Sequence, residues 1–335
     1  MTKPSEPGHG RPDPDLSAIV SERRQLTNLA YRLLGSLADA EDVVQETYAR
    51  WYAMSSRQRE AIDSPGAWLT TVAGRVCLDL LGSARARRER YVGEWIPEPL
   101  PDRTEWIGGR PDVGVVDPAD RVTLDESVNM AFLVVLESMT PAERVAFVLH
   151  DVFRYPFAEV AEIVGRTPAA CRQLASSARR RIRASQPHAT PAAQRADLVR
   201  AFKQAWEAKD IDALIGLLAP DATATGDGGG LVTAALHPVE GAEHVARFFA
   251  DRPVAAPGLT LVERTVNGQP GLVARRGGVT VSVMAFDVTG DRIHRIWAVL
   301  NPNKLRSWAL TTNHLASDTP SMRRPTRLRM TRRRP

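Results

Sequence analysis

Two proline-containing interruptions divide this chain of 335 residues into three segments, and the division limits which folds the chain can adopt. The first interruption, residues 91–122, contains five prolines, and the second, residues 186–191, contains two. Apolar residues recur at helical spacing before each interruption, whereas alternating apolar runs separated by glycine-containing turns dominate residues 259–299. The pattern predicts two helical units followed by an α+β unit.

Six regions follow from this division. They are a disordered N-terminus at 1–15, a helical unit at 16–90, a linker at 91–122, a second helical unit at 123–186, an α+β unit at 192–308 and a basic disordered tail at 309–335. Within the α+β unit we expect helices over 192–219 and 239–250. The expected strands are 259–266, 271–275, 279–288 and 292–299.

The basic residues of the chain are unevenly distributed. Seven arginines and no acidic residue lie in 323–335, so the formal net charge of +5 becomes −2 for the rest of the chain. An inference of nucleic-acid binding must therefore depend on particular arginine clusters and not on the overall charge.

The cysteine content and the hydropathy exclude several classes of protein. Cys77 and Cys171 both lie in predicted helices, and neither has a Cys or His at metal-ligand spacing, which predicts no disulfide, no metal and no cofactor. No apolar run reaches the length of a membrane span, and no signal-peptide pattern follows the N-terminus. We therefore expect a cytoplasmic protein without a membrane partner.

An acidic amphipathic helix marks the first unit. Val43, Val44 and Thr47 can face the core of that unit. The polar residues of the same helix are Asp39, Glu41, Asp42, Gln45 and Glu46. A solvated helix face would also explain this pattern.

A basic block follows the acidic helix. It consists of Arg75, Arg85, Arg87, Arg88 and Arg90. Clustered guanidinium groups repel one another unless an anion neutralises them, and the phosphates of a nucleic acid can do so. The plain alternative is a generic basic surface.

The second unit contains the pattern of a helix-turn-helix. Thr140 and Glu143 have the spacing of a capping box, and a later short helix ends at Gly165, as expected for the turn before a recognition helix. Such helices present their N-terminal residues to DNA, where Arg and Gln suit guanine and adenine edges. The candidate DNA-contacting residues are Arg172, Gln173, Ser176, Arg179 and Arg180.

The order of these features resembles the extracytoplasmic-function sigma factors of bacterial RNA polymerase. The acidic string 39–47 with the basic block is similar to sigma region 2, and residues 168–176 are similar to sigma region 4. The resemblance implies that the acidic helix docks on the clamp of core RNA polymerase. It also implies that the basic block, with the preceding loop at 55–64, binds the −10 promoter element, and that the recognition helix reads the −35 element.

The third unit resembles a SnoaL-like domain, a cone-shaped α+β fold shared with ketosteroid isomerases and polyketide cyclases. The strings at 95–99, 227–230 and 301–305 are similar to those of a sigma subgroup that carries such an extension. The resemblance implies that the extension contacts the sigma domains or the linker and regulates them, although 227–230 and 301–305 are also good turn sequences. The implied contact residues are Trp95, Pro97, Glu98, Pro99, Asp227, Gly228, Gly229, Gly230, Asn301, Pro302, Lys304 and Leu305.

The predicted fold is therefore multidomain, with two all-α sigma domains, a region 2 helical bundle and a region 4 helix-turn-helix, and a C-terminal α+β SnoaL-like cone. The predicted function is that of an alternative sigma factor regulated by its own extension. Its expected partners are core RNA polymerase and promoter DNA, and the cone has a pocket for an unidentified small molecule.

Two other functions fit parts of the sequence. One is a one-component regulator in which a ligand-sensing cone controls a helix-turn-helix. The other is a cyclase or isomerase fused to a DNA-binding module, for which the candidate acid–base residues are Asp227, His237, His244 and His294. No spacing links these four residues into a constellation, and neither function requires the acidic helix at 39–47. We therefore expect a protein that is not an enzyme.

Overall fold

A computed structural model gives the fold of residues 14–88, 91–101, 129–185, 190–251 and 258–309. The predicted disordered N-terminus up to residue 13, the predicted linker from residue 102 and the predicted basic tail from residue 310 lie outside these ranges. Within the described residues, two helical units precede an α+β unit, in the order that the sequence predicts.

The first unit consists of four helices. They are α1 (Pro14–Leu34), α2 (Leu37–Ala53), α3 (Ser56–Glu60) and α4 (Pro65–Arg88). The Ser36 side chain caps α2 by accepting a hydrogen bond from the Asp39 backbone N–H. The prediction of a loop at 55–64 is wrong in part, because Ser55 and Gln58 form a capping box that starts the short helix α3.

The second unit contains the helix-turn-helix. Its helices are α5 (Met130–Glu137), α6 (Pro141–Phe147), a π-helical turn (Val148–Val152), α7 (Phe157–Val164) and α8 (Pro168–Ser185). The predicted capping box of α6 is confirmed by mutual hydrogen bonds between Thr140 and Glu143. Gly165 ends α7 with a φ of +67°, a left-handed conformation that favours glycine.

The two helical units share one hydrophobic core. Gly74 of α4 lies so close to Ile163 of α7 that a Cβ atom at position 74 would be 2.8 Å from Ile163 Cγ2. At another point of the interface, Arg144 Nη1 donates a hydrogen bond to the Leu33 carbonyl oxygen at 2.9 Å. The first unit is therefore packed directly against the helix-turn-helix.

The third unit combines helices with one mixed sheet. Its elements are α9 (Ala192–Ala208), α10 (Ile211–Leu217), β1 (Leu218–Asp227), β2 (Val239–Glu240), α11 (Ala242–Ala250), β3 (Leu259–Val266), β4 (Gln269–Arg276), β5 (Val279–Thr289), β6 (Arg292–Val299), a 3-10 helix (Pro302–Lys304) and α12 (Arg306–Ala309). The strand order is β2-β1-β6-β5-β4-β3. β1 and β6 are parallel, and the other neighbouring strands are antiparallel.

Two elements of the third unit differ from the sequence prediction. β1 runs through a segment with no predicted strand, since its inward residues Ala222 and Ala224 are too small to give a clear apolar alternation. The predicted helix at 239–250 is divided into β2 and α11, because Gly241 between them has a φ of +89°. The predicted bounds of β3 and β6 are confirmed.

The two faces of the sheet contact different parts of the molecule. On the inner face, Met284 of β5 packs in one cluster with Phe202 and other residues of the covering helices. On the outer face, Val283 packs in another cluster with Ile96 of the linker and Met130 of α5. Because side chains alternate along a strand, adjacent residues of β5 reach both the interior of the cone and the helical units.

Cys77 and Cys171 are buried free thiols. In the part of the chain that the structure covers, no helix is long and apolar enough to cross a membrane. Those same residues contain no group of three or more His, Cys, Asp or Glu side chains arranged to hold a metal ion.

Candidate functional site

The acidic residues of α2 form an exposed polar surface. Four of the five predicted docking residues are exposed, and Asp39 is half-buried. The opposite face of α2 is buried through residues that include Val43 and Thr47, as the sequence predicts. Glu46 forms an ion pair with Arg50 one turn later, with 2.8 Å between Oε1 and Nε. An exposed carboxylate surface of this kind suits a basic partner.

The predicted −10 contacts are only partly described. Arg75 is exposed, and its Nη2 donates a hydrogen bond to the Glu162 carbonyl oxygen of α7 at 3.2 Å. The other predicted contacts lie outside the side chains that the structure describes, namely Arg85, Arg87, Arg88 and Arg90. Arg75 is therefore held by the second helical unit at the position where the sequence predicts a nucleic-acid contact.

The N-terminal part of α8 presents the predicted base-reading residues. Arg172 and Gln173 are exposed, and the Arg172 guanidinium lies 5.7 Å from the centroid of the Phe157 ring. That distance allows a cation–π interaction, which restricts the orientation of the guanidinium. Arginine and glutamine are the side chains that pair with guanine and adenine edges respectively.

The later polar residues of α8 have partners within the protein. Arg179 Nε lies 2.6 Å from Asp151 Oδ1, so this side chain is held by an ion pair. Arg180 is exposed, and its Nη1 donates to Ser176 Oγ at 3.5 Å. Of these residues, Arg180 is the most accessible to a phosphate group.

A buried carboxylate joins the linker to the α+β unit. Asp227, at the end of β1, is fully buried. Its Oδ1 accepts a hydrogen bond from the Tyr91 hydroxyl at 2.6 Å. Its Oδ2 accepts from the Ile96 backbone N–H at 3.0 Å and from Lys304 Nζ at 2.7 Å. These four residues are called the Asp227 cluster below, and residues 91–101 are called the strap.

The ammonium group of Lys304 balances the charge of Asp227. Its Nζ also donates to the Ile96 carbonyl oxygen at 2.5 Å and lies 4.0 Å from the centroid of the Trp95 ring. Hydrogen bonding on both sides of the ion pair offsets part of the lost solvation. Burial, together with the bond to Asp227, raises the pKa of the Tyr91 hydroxyl, which therefore remains a donor at neutral pH.

The glycine string after β1 allows a close approach to the strap. A Cβ atom on Gly229 would lie 2.2 Å from Asn301 Nδ2, and one on Gly228 would lie 2.0 Å from the Val232 carbonyl oxygen. Gly229 also has a φ of +60°, which favours glycine. Asn301 Nδ2 in turn donates to the Tyr91 hydroxyl oxygen at 2.8 Å. The strings 95–99, 227–230 and 301–305 therefore meet at one place.

The opposite side of the strap binds the first helical unit. Leu37 N–H donates to Glu98 Oε2 at 2.8 Å, and Glu98 N–H donates to the Gly35 carbonyl oxygen at 2.8 Å. The Tyr31 hydroxyl donates to the Glu98 carbonyl oxygen at 2.7 Å and accepts from Asn267 Nδ2 at 2.9 Å. The strap thus lies between the α1–α2 connection and the β3–β4 hairpin.

The other predicted contact residues differ in their burial. Pro97 and Pro99 are buried, and the Pro99 carbonyl oxygen accepts a hydrogen bond from Trp308 Nε1 at 2.8 Å. Leu305 is buried in the outer-face cluster. Pro302 is exposed. The strap therefore makes polar and apolar contacts along most of its length.

Several residues of this arrangement are absent from the sequence prediction. They are Tyr31, Tyr91, Asn267 and Trp308. The pair Asn267-Gly268 has positive φ angles of 48° and 69°, and Asn-Gly is a strong signal for a two-residue hairpin turn, so this turn was detectable. The three aromatic residues carry no such signal, because their partners lie far away in the sequence.

Three family models match the chain in the order of the units described above. The model of sigma-70 region 2 matches residues 18–87, that of sigma-70 region 4 matches 129–182, and that of the SnoaL-like domain matches 199–300. The ECF RNA polymerase sigma factor SigJ of Mycobacterium tuberculosis is 38% identical over 304 residues, which cover 87% of this chain and 93% of SigJ. This chain belongs to the extracytoplasmic-function (ECF) sigma factors.

Two further comparisons agree with this assignment. The probable ECF sigma factor SigI of M. tuberculosis is 36% identical, with 88% of this chain and 95% of SigI covered. The crystal structure of M. tuberculosis SigJ matches with a TM-score of 0.67 at 36% identity, covering 87% of this chain and 98% of that one. This ECF sigma factor binds core RNA polymerase and promoter DNA and directs transcription initiation, so the one-component regulator and the fused cyclase are the poorer interpretations.

The substitution Gly229→Ala should weaken the packing around the Asp227 cluster of this sigma factor. The added methyl group requires Asn301 to move, and the alanine must adopt the positive φ of Gly229, which disfavours any residue with a Cβ atom. We therefore expect a loss of about 1–3 kcal/mol in the free energy of unfolding. Thermal unfolding of the full chain measures the effect. Gly216→Ala in α10, where a Cβ atom meets open space, is the control and should not lower the stability. Equal melting temperatures for Gly229→Ala and the unaltered sigma factor would contradict the close approach.

Glu98 should make the stability of this ECF sigma factor depend on pH. Burial raises the Glu98 pKa from 4.5 to about 7, although the bond from Leu37 N–H and the charge of Lys304 act in the opposite direction. The folded state therefore holds the proton more tightly than the unfolded state. The stabilisation from the protonated carboxyl is complete below about pH 4.5 and is lost as the pH rises through about 7.

The substitution Glu98→Gln should remove this dependence, because an amide can accept the same hydrogen bond without ionising. We expect the variant to gain up to about 3 kcal/mol over the unaltered protein at pH 8 and little at pH 5. Melting temperatures measured across this range test the expectation. Glu60→Gln on exposed α3 is the control and should leave the profile unchanged. Parallel pH profiles for Glu98→Gln and the unaltered protein would show that Glu98 is not the responsible group.

Proposed function

We propose that the SnoaL-like domain regulates this sigma factor in cis, by holding region 2 and region 4 together through the strap. The observation that carries the proposal is the Asp227 cluster, in which one buried carboxylate of the SnoaL-like domain binds the segment that follows region 2. The outer face of the same domain packs on region 4 through Val283 and Met130. One domain therefore contacts both promoter-binding units.

In the arrangement seen in the structure, called the closed state below, region 2 and region 4 lie too close together to bind both promoter elements at once. The −10 and −35 elements, if separated by about one and a half turns of DNA, lie roughly 50 Å apart. Arg75 of region 2 contacts Glu162, and Glu162 precedes Arg172 by ten residues. Ten residues span at most about 36 Å when fully extended, and a helix-turn-helix is shorter. Simultaneous binding of both elements therefore requires the two regions to separate.

The surfaces that would act after separation are the exposed ones described above. We propose that α2 docks on the polymerase clamp through its acidic residues and that Arg75, with the rest of the basic block, binds the −10 strand. Arg172 and Gln173 would read the −35 element, with Ser176 beside them and Arg179 and Arg180 near phosphates. The exposure of Arg172 and Gln173 supports this division of roles.

We propose binding rather than catalysis for the SnoaL-like domain. Asp227, one of the four candidate acid–base residues, is fully buried and accepts hydrogen bonds from the strap and from Lys304. Three hydrogen bonds already occupy most of the acceptor sites of this buried carboxylate, which makes it a poor general base. His244 Nδ1 donates a hydrogen bond to the Glu240 carbonyl oxygen at 3.0 Å, and His294 faces Asp221, so these two histidines belong to separate surroundings.

The substitution Tyr91→Phe should increase transcription by this sigma factor. It leaves Asp227 Oδ1 and Asn301 Nδ2 without the hydroxyl that now joins them, at a cost of about 1–3 kcal/mol to the closed state. Such a change shifts the ratio of closed to open molecules by roughly 5- to 150-fold. The measurement is run-off transcription from a promoter library with bacterial core polymerase and full-length protein. Tyr52→Phe, at a hydroxyl-bearing ring that is 61% exposed, is the control. Equal transcript yields from Tyr91→Phe and the unaltered protein would contradict regulation through the strap.

Reversal of charge on α2 should abolish binding to core polymerase. We expect the double substitution Asp42→Lys and Glu46→Lys to reduce binding below detection, since attraction to a basic partner becomes repulsion at two positions. Glu243→Lys is a matched control, because Glu243 also belongs to an exposed ion pair one helical turn from its partner, Arg247. Binding is measured with immobilised core enzyme. Normal assembly of the double variant would move the docking surface away from α2.

The residues at the start of α8 should determine the −35 preference. We expect Arg172→Ala or Gln173→Ala to relax the preference at one promoter position each, at a cost of about 1–3 kcal/mol for the preferred base. Sequencing of transcripts from the promoter library reports the preference. Arg183→Ala, near the exposed end of α8, is the control and should weaken all promoters equally. An unchanged preference in both alanine variants would place the reading residues elsewhere.

A further inference from the structure

A stack of three side chains lies against the start of the recognition helix α8. The Phe157 ring, at the first position of α7, has the Arg172 guanidinium 5.7 Å from its centroid. The His150 ring is stacked on the same Phe157 ring, with 3.7 Å between the centroids and 24° between the planes. The three residues come from three consecutive elements, the π-helical turn, α7 and α8, so the fold of the helix-turn-helix brings them together.

The His150 ring is fixed by a backbone contact. Its Nδ1 lies 2.8 Å from the Tyr155 carbonyl oxygen, and because a carbonyl oxygen can only accept, Nδ1 carries the proton and donates. The turn that contains His150 is π-helical, and the backbone that follows has a φ of +64° at Arg154. Both conformations are rare, and both are found more often at functional sites than elsewhere. The residue on which Phe157 stacks is therefore itself held in place.

The residue after His150 holds a second arginine of α8. Asp151 Oδ1 lies 2.6 Å from Arg179 Nε, in an ion pair that is partly buried. Arg179 follows Arg172 by about two helical turns, so the two arginines lie on the same side of α8. The π-helical turn therefore contacts one arginine directly through Asp151, and it reaches the other through His150 and Phe157.

The orientation of its guanidinium matters more for an arginine that reads a base than for one that binds phosphate. A guanine contact needs two N–H groups at one base edge, whereas a phosphate accepts hydrogen bonds from many directions. A cation–π contact uses the charge of the guanidinium and leaves its in-plane N–H donors available. Phe157 can therefore restrict the Arg172 side chain, which is exposed, without occupying the groups that would contact a base.

We propose that Phe157, braced by His150, is a positioning residue that sets the base preference of Arg172 at the −35 element. The inference rests on the proposed function, in which Arg172 reads one base of this element. All three residues belong to region 4, so the stack does not depend on contact with region 2 and persists when the two regions separate. Phe157 and His150 act through Arg172, and neither ring has to touch a base.

The test is run-off transcription by the full-length protein with bacterial core polymerase and a promoter library, followed by sequencing of the transcripts. Phe157→Leu removes the aromatic ring and keeps an apolar side chain. We expect the preference at the promoter position read by Arg172 to fall roughly two- to fivefold, which matches the strength of an exposed cation–π contact, and the other −35 positions to be unaffected. Phe157→Tyr keeps the ring and should retain the preference. His150→Ala should cause a smaller loss at the same position.

A second cation–π pair in the same unit provides a matched control. Phe153 has the Arg32 guanidinium 5.4 Å from its ring centroid, and Arg32 belongs to α1 of region 2. Phe153→Leu can change the total transcript yield, but it should leave every base preference unaltered. Thermal unfolding shows whether the variants fold. If Phe157→Leu does not fold, His150→Ala decides the question, because it keeps the Phe157 ring in the core and removes only its brace.

The inference and the proposed function fail in different ways. An unchanged preference in Arg172→Ala would show that Arg172 does not read a base, which removes the proposed role of this residue. A relaxed preference in Arg172→Ala, with unchanged preferences in Phe157→Leu and His150→Ala, would overturn the positioning alone. A sharper preference in Phe157→Leu would also overturn it, since the ring would then hold Arg172 away from DNA. Combined with Arg172→Ala, Phe157→Leu should relax this position no further, and an additional loss would show that Phe157 acts by another route.

Discussion

The buried ion pair between Asp227 and Lys304 is the interaction on which the arrangement of the three domains depends. It joins the end of β1 to the segment after β6, and its remaining hydrogen-bonding capacity is taken by Tyr91 and Ile96 of the strap. A buried pair contributes little net stability over apolar residues of the same size, but loss of one partner leaves an uncompensated charge. Removal of one of these contacts should therefore weaken the binding of the strap as a whole.

The closed state buries part of a surface that we propose for promoter binding. The sequence predicts that Arg75 contacts a nucleic acid, but in the closed state its side chain donates a hydrogen bond to the Glu162 carbonyl oxygen. Helix α4 also packs on α7 through Gly74 and Ile163. If Arg75 contacts the −10 strand as proposed, DNA and region 4 compete for one side of region 2. Under that proposal, a more stable closed state means a lower affinity for the promoter, without any separate inhibitory surface.

Much of the molecule could be predicted from local sequence patterns. The capping box at Thr140, the left-handed Gly165 and the bounds of β3 and β6 each depend on residues a few positions apart, and the structure has them as predicted. β1 was not predictable in the same way, because its inward side chains are alanines. Tyr91, Tyr31 and Trp308 were missed for another reason, since their partners lie 67 to 236 residues away along the chain.

The sheet of the SnoaL-like domain provides a physical route between the interior of that domain and the sigma regions. On β5, Met284 lines the interior cavity of the SnoaL-like domain, while its neighbour Val283 packs with residues of the strap and α5. A displacement of this strand therefore changes the contacts on both faces of the sheet. The energies set a limit on what one ligand can do. A shift from 1% to 99% occupancy of one state needs about 5.5 kcal/mol of differential affinity, whereas coupling between two sites typically supplies about 1–3 kcal/mol. A single ligand of the SnoaL-like domain with coupling of this size would be too weak to switch the sigma factor completely. Under the proposed regulation, binding of polymerase and promoter would have to supply the larger part of the energy that opens the closed state.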